Sequence, residues 1–211
     1  MVTVDLKAAA SAHQFTVVID GVETVVHEGV LRCGGGGTVA VVAPGVLEVT
    51  RLRHVVVRGG GGGDVRFARC GYAAAEDCAA ASFRRCGAVR VDGARGVAVR
   101  RCRSADVERA GAVAIRRCAG AARVRGAGEL RVGRCREADL AGCADAAVAR
   151  CRAARADWCG ALTLGRCGAV RVDRCRDASV SGCGAVAVRR GKVSVVEALK
   201  PVSPPPVDQQ A

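Results

Sequence analysis

Apolar and polar residues alternate along this chain in short runs that restart every eight positions. In GAVAIRRC (111–118), GALTLGRC (160–167) and GAVRVDRC (168–175), apolar side chains hold the third and fifth places and cysteine closes the unit. Alternation with period two over five residues is the pattern of a short strand with one buried face, and the remaining residues make a turn. Cysteines stand at 70, 78, 86, 102, 118, 135, 143, 151, 159, 167, 175 and 183, with Cys33 apart from the series. Ala94 and Ala110 fill slots where the eight-residue step passes without cysteine, and a one-residue insertion is expected near Gly126–Gly128. Eight residues are too few for the repeats that build helical solenoids, and valine at alternate places opposes a helical period.

The residue before the cysteine sizes the coil. Units ending in Arg-Cys close at Cys86, Cys102, Cys118, Cys135, Cys151 and Cys167, and the units between them end otherwise. Alternation of two kinds of unit predicts an all-β fold, a parallel β-helix (β-solenoid) with coils of about sixteen residues and two strands per coil. Residues 1–37 are expected to form capping strands and a hairpin, with Asp20-Gly21 at the tip of FTVVIDGVETVV. The solenoid is expected over 38–199, as roughly ten coils stacked ~4.8 Å apart. The Pro-rich end, 200–211, is expected to be a disordered tail.

Composition then narrows what such a rod can contain. Aromatic residues are 2% of the 211, so the core must be narrow and filled with Val, Ala, Leu and Cys. No basic segment leads into an apolar run at the start, and no stretch reaches the ~20 apolar residues of a membrane helix. The expectation is a cytoplasmic protein without a membrane span, with its thirteen cysteines reduced.

Charge points to a partner. The formal net charge is +13, and lysine occurs only at Lys7, Lys192 and Lys200. With sixteen residues per coil, Arg85, Arg101, Arg117, Arg134, Arg150 and Arg166 share one phase and line one edge. Arg84, Arg100 and Arg116 broaden it. Like charges stacked so closely repel, so the edge invites an acidic protein surface or a polyanion. Asp77, Asp92, Glu108, Asp157 and Asp173 in the intervening units are expected to offset part of this field.

Cys86, Cys102, Cys118, Cys135, Cys151 and Cys167 should form a second column, a structural one of buried thiols acting as small hydrophobes. Zinc needs four converging ligands, no CxxC pair occurs, and no metal or cofactor is expected. His13, His27 and His54 fall outside the repeat. No HExxH, GxSxG or GxxxxGK[ST] pattern is present, which leaves no catalytic constellation and points away from an enzyme.

The rhythm of short coils with cysteine at strand ends resembles the cyclase-associated-protein and tubulin-cofactor-C group of β-helices. Gly128-Glu129-Leu130-Arg131-Val132-Gly133-Arg134-Cys135 is similar to the cofactor-C motif Gln-Leu-Arg-Leu-His-x-Cys. Glu129 stands in place of glutamine and Gly133 in place of histidine. The resemblance implies a GTPase-activating role for Arg131 and a link to the cytoskeleton. Three functions follow as expectations. The leading one is a non-catalytic structural or adaptor solenoid that binds an acidic partner through its arginine edge, with a homodimer through a solenoid edge as its self-association. The others are a regulatory GTPase-activating module acting through Arg131 and, more distantly, a glycan-processing β-helix.

Overall fold

The computed structural model describes residues 3–5, 15–26, 30–59 and 62–196. Apart from a 3-10 turn at Gly34–Gly36, the regular elements among them are strands, gathered in two sheets. The first sheet contains ten parallel strands from Val46–Thr50 to Gly191–Val196, and the second contains nine from His54–Gly59 to Ala185–Val188. Successive units fall in opposite sheets. Gly96–Arg100 of the first sheet pairs with Ala80–Arg84 on one side and Ala112–Arg116 on the other, each sixteen residues away, and Ala88 of the second sheet pairs with Ser104. Two eight-residue units therefore make one coil. Nine coils are complete, and Gly191–Val196 begins a tenth.

The step departs from sixteen in two turns and, at the C-terminal end, shortens to fifteen where a bulge between Cys175 and Asp177 sets Asp177 opposite Lys192. It is eighteen where Val46–Thr50 meets Asp64–Ala68, because the glycine run 59–63 adds two residues to the turn. It is seventeen where Ala105 meets Ala122 and Ala112 meets Glu129. That extra residue lies at Ala119–Gly120, ahead of the Gly126–Gly128 inferred from the cysteines. Cysteine spacing only confines an insertion to the gap between two sulfurs. Backbone pairing places it in the turn, where Ala119 N–H donates to the Cys102 carbonyl (3.0 Å) and Gly120 N–H to that of Arg103 (2.7 Å).

The third, fifth and eighth places of each unit face inward. On the first sheet Phe67, Phe83, Val99, Ile115, Val132, Val148, Leu164 and Val180 follow one another as a continuous buried column. Across from them the second sheet places many alanines, among them Ala73, Ala105, Ala122, Ala138 and Ala154. Large residues on one wall against small ones on the other let two flat sheets close at high density. Phe67 and Phe83 occupy equivalent places in adjacent coils, so their rings stack, 4.7 Å between centroids and 3° apart in plane.

The two ends differ. Phe15–Ile19 and Val22–Val26 form the expected hairpin, with Asp20 (φ 47°) and Gly21 (φ 88°) left-handed at its tip. Its first strand pairs antiparallel with His54–Gly59 and closes the N-terminal edge of the second sheet. Val30–Cys33 and Gly37–Ala43 close the first sheet, again antiparallel. Gly37–Ala43 is antiparallel to Val46–Thr50, so parallel winding starts at Val46. Such caps remove the unpaired ladder on which another chain could add. The C-terminal edges are the strands Ala185–Val188 and Gly191–Val196, where Val188 and Val195 are 44% and 59% exposed. His13, His27 and the tail 200–211 lie outside the described residues.

Candidate functional site

Each coil has two corners. At the first, the chain leaves the first sheet for the second; at the second corner it returns. The six arginines predicted to share an edge all stand at the first corner, one per coil, and all are exposed. Their column continues toward the N-terminus through Arg51 and Arg69. Sequence reasoning stopped short of these two, although Arg69-Cys70 carries the same dipeptide. Arg84, Arg100 and Arg116 pair in register as the last residues of consecutive strands and flank the column on its first-sheet side. Arg103, Arg136 and Arg152 flank it on the other. Between Thr50 and Gly184 this corner carries fifteen arginines; the acids beside it are Glu137, which follows Arg136, and Asp20 of the cap, which lines one pocket with Arg51, Arg53 and Arg69.

The backbone at these arginines was not visible in the sequence. Arg85, Arg101, Arg117, Arg134, Arg150 and Arg166 have φ of 57°, 57°, 61°, 58°, 58° and 54°. The turn needs one left-handed residue to bring the chain around, and its N–H then continues the ladder to the next coil, as from Arg85 to the Arg100 carbonyl and from Arg101 to that of Arg116, both 3.0 Å. A side chain in this conformation costs ~1–2 kcal/mol through the crowding of Cβ, and glycine escapes that cost. The second corner uses glycine at the same place in three coils, at Gly93, Gly126 and Gly142. The first corner uses arginine in eight coils out of nine.

The acids expected to offset the column do not reach it. Asp77, Asp92, Glu108, Asp157 and Asp173 all belong to the second corner, a strand's width or ~17 Å away. Salt at 0.1 M screens beyond ~10 Å. There the acids serve their own neighbours. Arg109 Nε donates to Asp92 Oδ1 at 2.7 Å, holding the Asp92 carboxyl below the usual range, and Arg125 pairs with Glu108 at 3.0 Å. On the outer face of the second sheet Arg90, Asp106, Arg123, Asp139 and Arg155 follow one another in register with alternating sign. Opposite charges side by side across strands stabilise such a face. Among the described residues, none of the first-corner arginines forms a salt bridge. Charge is thus sorted, of mixed sign on the second sheet and second corner and strongly positive on the first.

Directly beneath the arginines run Cys86, Cys102, Cys118, Cys135, Cys151 and Cys167, all buried, with Cys70 and Cys183 extending the column. All thirteen cysteines are free thiols. Except at Cys118, each sulfur of this column donates back to the carbonyl two residues earlier, as from Cys86 to Arg84 (3.7 Å) and from Cys102 to Arg100 (3.5 Å), a second bond to a carbonyl that also accepts an N–H of the neighbouring coil. Among the described residues no three His, Cys, Asp or Glu side chains converge as a metal site.

Cys78 lies at the second corner, where the next coil has Ala94 in its place, and burial pushes its thiol up to about 11 from 9.0. The folded state therefore keeps a proton that the unfolded chain releases, which adds stability below pH 9 that is lost as pH rises through about 11. The melting temperature should be flat to pH 8.5 and fall between 9 and 11, and in Cys78→Ala part of that fall should vanish. An unchanged profile in the variant would remove Cys78 as a cause.

Arg131, the arginine singled out by resemblance, lies in mid-strand on the outer face of the first sheet, exposed, with Ala114 and Ala147 as its register neighbours. It lies two residues before Gly133, the register partner of Arg116. His54 stacks on Tyr72, 4.5 Å between centroids. No helix of the described residues is long and apolar enough to cross a membrane. In comparisons with known proteins, no family model, curated protein or solved structure matches the chain.

Proposed function

We propose that the protein is a non-catalytic adaptor whose first corner binds an extended polyanion along the rod. One observation carries the reading: eight coils place arginine at a left-handed turn position that glycine would occupy without strain, and the two acids beside the column, Glu137 and Asp20 of the cap, form no salt bridge with it among the described residues. A row of cations ~4.8 Å apart binds through charge and counterion release. The rings at this corner are His54 and Tyr72, stacked on each other at its N-terminal end, and none lies along the rest of the column, so discrimination among sequences should be poor.

The test uses two probes of one chemistry, a labelled single-stranded oligodeoxythymidylate and poly-L-glutamate. Binding of both should fall steeply from 50 to 200 mM salt, by roughly a thousandfold for six or more charges engaged. Binding that ignores salt would overturn the proposal. The regulatory alternative would instead show as stimulation of a partner GTPase that is lost in Arg131→Ala.

Self-association through a sheet edge belongs to the same reading. The C-terminal edge would carry it, since the described residues cap only the N-terminal one and Val188 and Val195 are exposed beside open ladders. Sedimentation velocity should then show a concentration-dependent dimer that Val195→Lys disperses, and a monomer at all concentrations would refute it.

A further inference from the structure

Trp158 is the only tryptophan in the chain, and it is spent on the surface. It occupies the left-handed position of the second corner with φ 54°, where a large side chain is strained, and it is 61% exposed. Strained, exposed aromatic groups concentrate at binding sites. Arg174, one coil further on, lies over the indole with its guanidinium carbon 4.9 Å from the ring centroid. That contact fixes the ring and covers one face of it.

The two preceding coils hold glycine at the same place. Gly142 N–H donates to the Asp157 carbonyl (3.0 Å), Gly126 N–H donates to that of Ala141 (2.9 Å), and Trp158 N–H to that of Asp173 (3.1 Å), so the three positions are consecutive steps of one stack. A Cβ placed at Gly142 would meet nothing closer than 4.0 Å, and the same holds at Gly126. The column therefore has a notch two coils or ~10 Å long, floored by backbone and walled at one end by the indole. An apolar ring can enter it edgewise and lie against Trp158. The indole N–H, a donor without acceptor capacity, suits a backbone carbonyl alongside.

The chain itself carries a ligand of this chemistry. Pro201-Val202-Ser203-Pro204-Pro205-Pro206-Val207 follows the last strand at Gly191–Val196 and lies beyond the described residues. Successive prolines present flat apolar rings, lack N–H groups to satisfy and lose little entropy on binding, which is why aromatic surfaces recognise them. Val196 ends a strand at the first corner, about three coils' progress and one strand width from Trp158, or ~20–25 Å. Seven residues, 197–203, span up to ~25 Å before Pro204. We propose that the ledge formed by Trp158, Arg174 and Gly142 binds the Pro204–Val207 end of the same chain. A single ring face is a weak site, but a short tether supplies an effective concentration in the millimolar range, enough to hold it. The proposal is independent of the arginine edge.

The sole tryptophan reports directly. In the full-length chain, replacing Pro204, Pro205 and Pro206 by Ser should shift the Trp158 emission to the red and raise its quenching by acrylamide about twofold, the change expected when a site mostly filled at millimolar effective concentration is emptied. The melting temperature should not move. The peptide PVSPPPVD, added at millimolar concentration to that variant, should restore the protection, and it should fail to do so in Arg174→Ser, where the ring is no longer held. Identical quenching in wild type and the proline variant would overturn the proposal. So would protection that rises with protein concentration, since the segment would then come from another copy.

Discussion

Replacing Arg101, Arg117 and Arg134 by glycine is expected to lower polyanion affinity about a hundredfold at low salt, taking ~1 kcal/mol per charged contact. For a single-stranded probe, the slope of log affinity against log salt should become shallower by about two, because three fewer phosphates are neutralised. Stability should move the other way. Glycine at φ near 57° removes ~1–2 kcal/mol of Cβ crowding at each site. It returns ~0.5–1 kcal/mol through the freer unfolded chain, and the loss of three stacked charges relieves repulsion. The variant should therefore melt at or above the wild-type temperature while binding poorly. The serine version keeps Cβ, so it should lose the same affinity without the gain. Arg95, Arg176 and Arg190 changed to Ser make the control, because they are exposed at the second corner and form no salt bridge among the described residues. Arg90 and Arg123 would be poor controls, since each stands beside acids of the second sheet and their removal would unbalance Asp106 and Asp139. Equal losses in both triple variants would reduce the corner to net charge.

Ile115→Asp is expected to prevent folding or to cost more than ~4 kcal/mol, a large part of any domain's stability. Ile115 is fully buried, between Val99 and Val132 in adjacent coils, and the described residues place no cation inside to pair with a carboxylate there. Burying a lone charge costs several kcal/mol. In a solenoid the damage also interrupts the stack, since each coil is held only by its two neighbours. Ala114→Asp, one residue away, is the contrast. Ala114 faces outward beside Arg131, and a carboxylate there should change stability by no more than ~0.5 kcal/mol. Urea unfolding of both variants, with Ile115→Val as a mild reference near 1 kcal/mol, separates the two faces. Similar stabilities for the two aspartate variants would mean that the alternation had been read in the wrong phase.

The left-handed arginines bear on what the chain has been shaped to do. A stack of like charges at a strained turn gains nothing for the fold, and the second corner shows that glycine serves the same turn. The second corner carries the same strain at Asp77, Arg109, Trp158 and Arg174 and relieves it with glycine in three coils, whereas the first keeps it at eight positions and always with arginine, the pattern of stability traded for a surface. Beneath it, cysteine suits the corner: it is small enough to stack at every coil, apolar enough to bury, and its weak donor reaches the carbonyl two residues back.

Sequence alone determined the repeat. Period two within units of eight, together with alternating Arg-Cys endings, dictates strands, sixteen-residue coils, the inward identity of residues such as Ile115 and Leu164, and the shared column of the six arginines. These are consequences of where side chains point along an extended backbone, and they need no knowledge of what lies opposite. Tertiary structure decided three further matters. It put the extra residue at Ala119–Gly120, because only cross-strand pairing registers which turn lengthened. It separated the acids from the arginines, because Asp92 and Arg101 are close in sequence but belong to different corners, and a strand's width exceeds the screening length. It also revealed the left-handed backbone under Arg85 and Trp158, since a turn's handedness follows from how two sheets must close on each other and leaves no mark on which residue bears the strain.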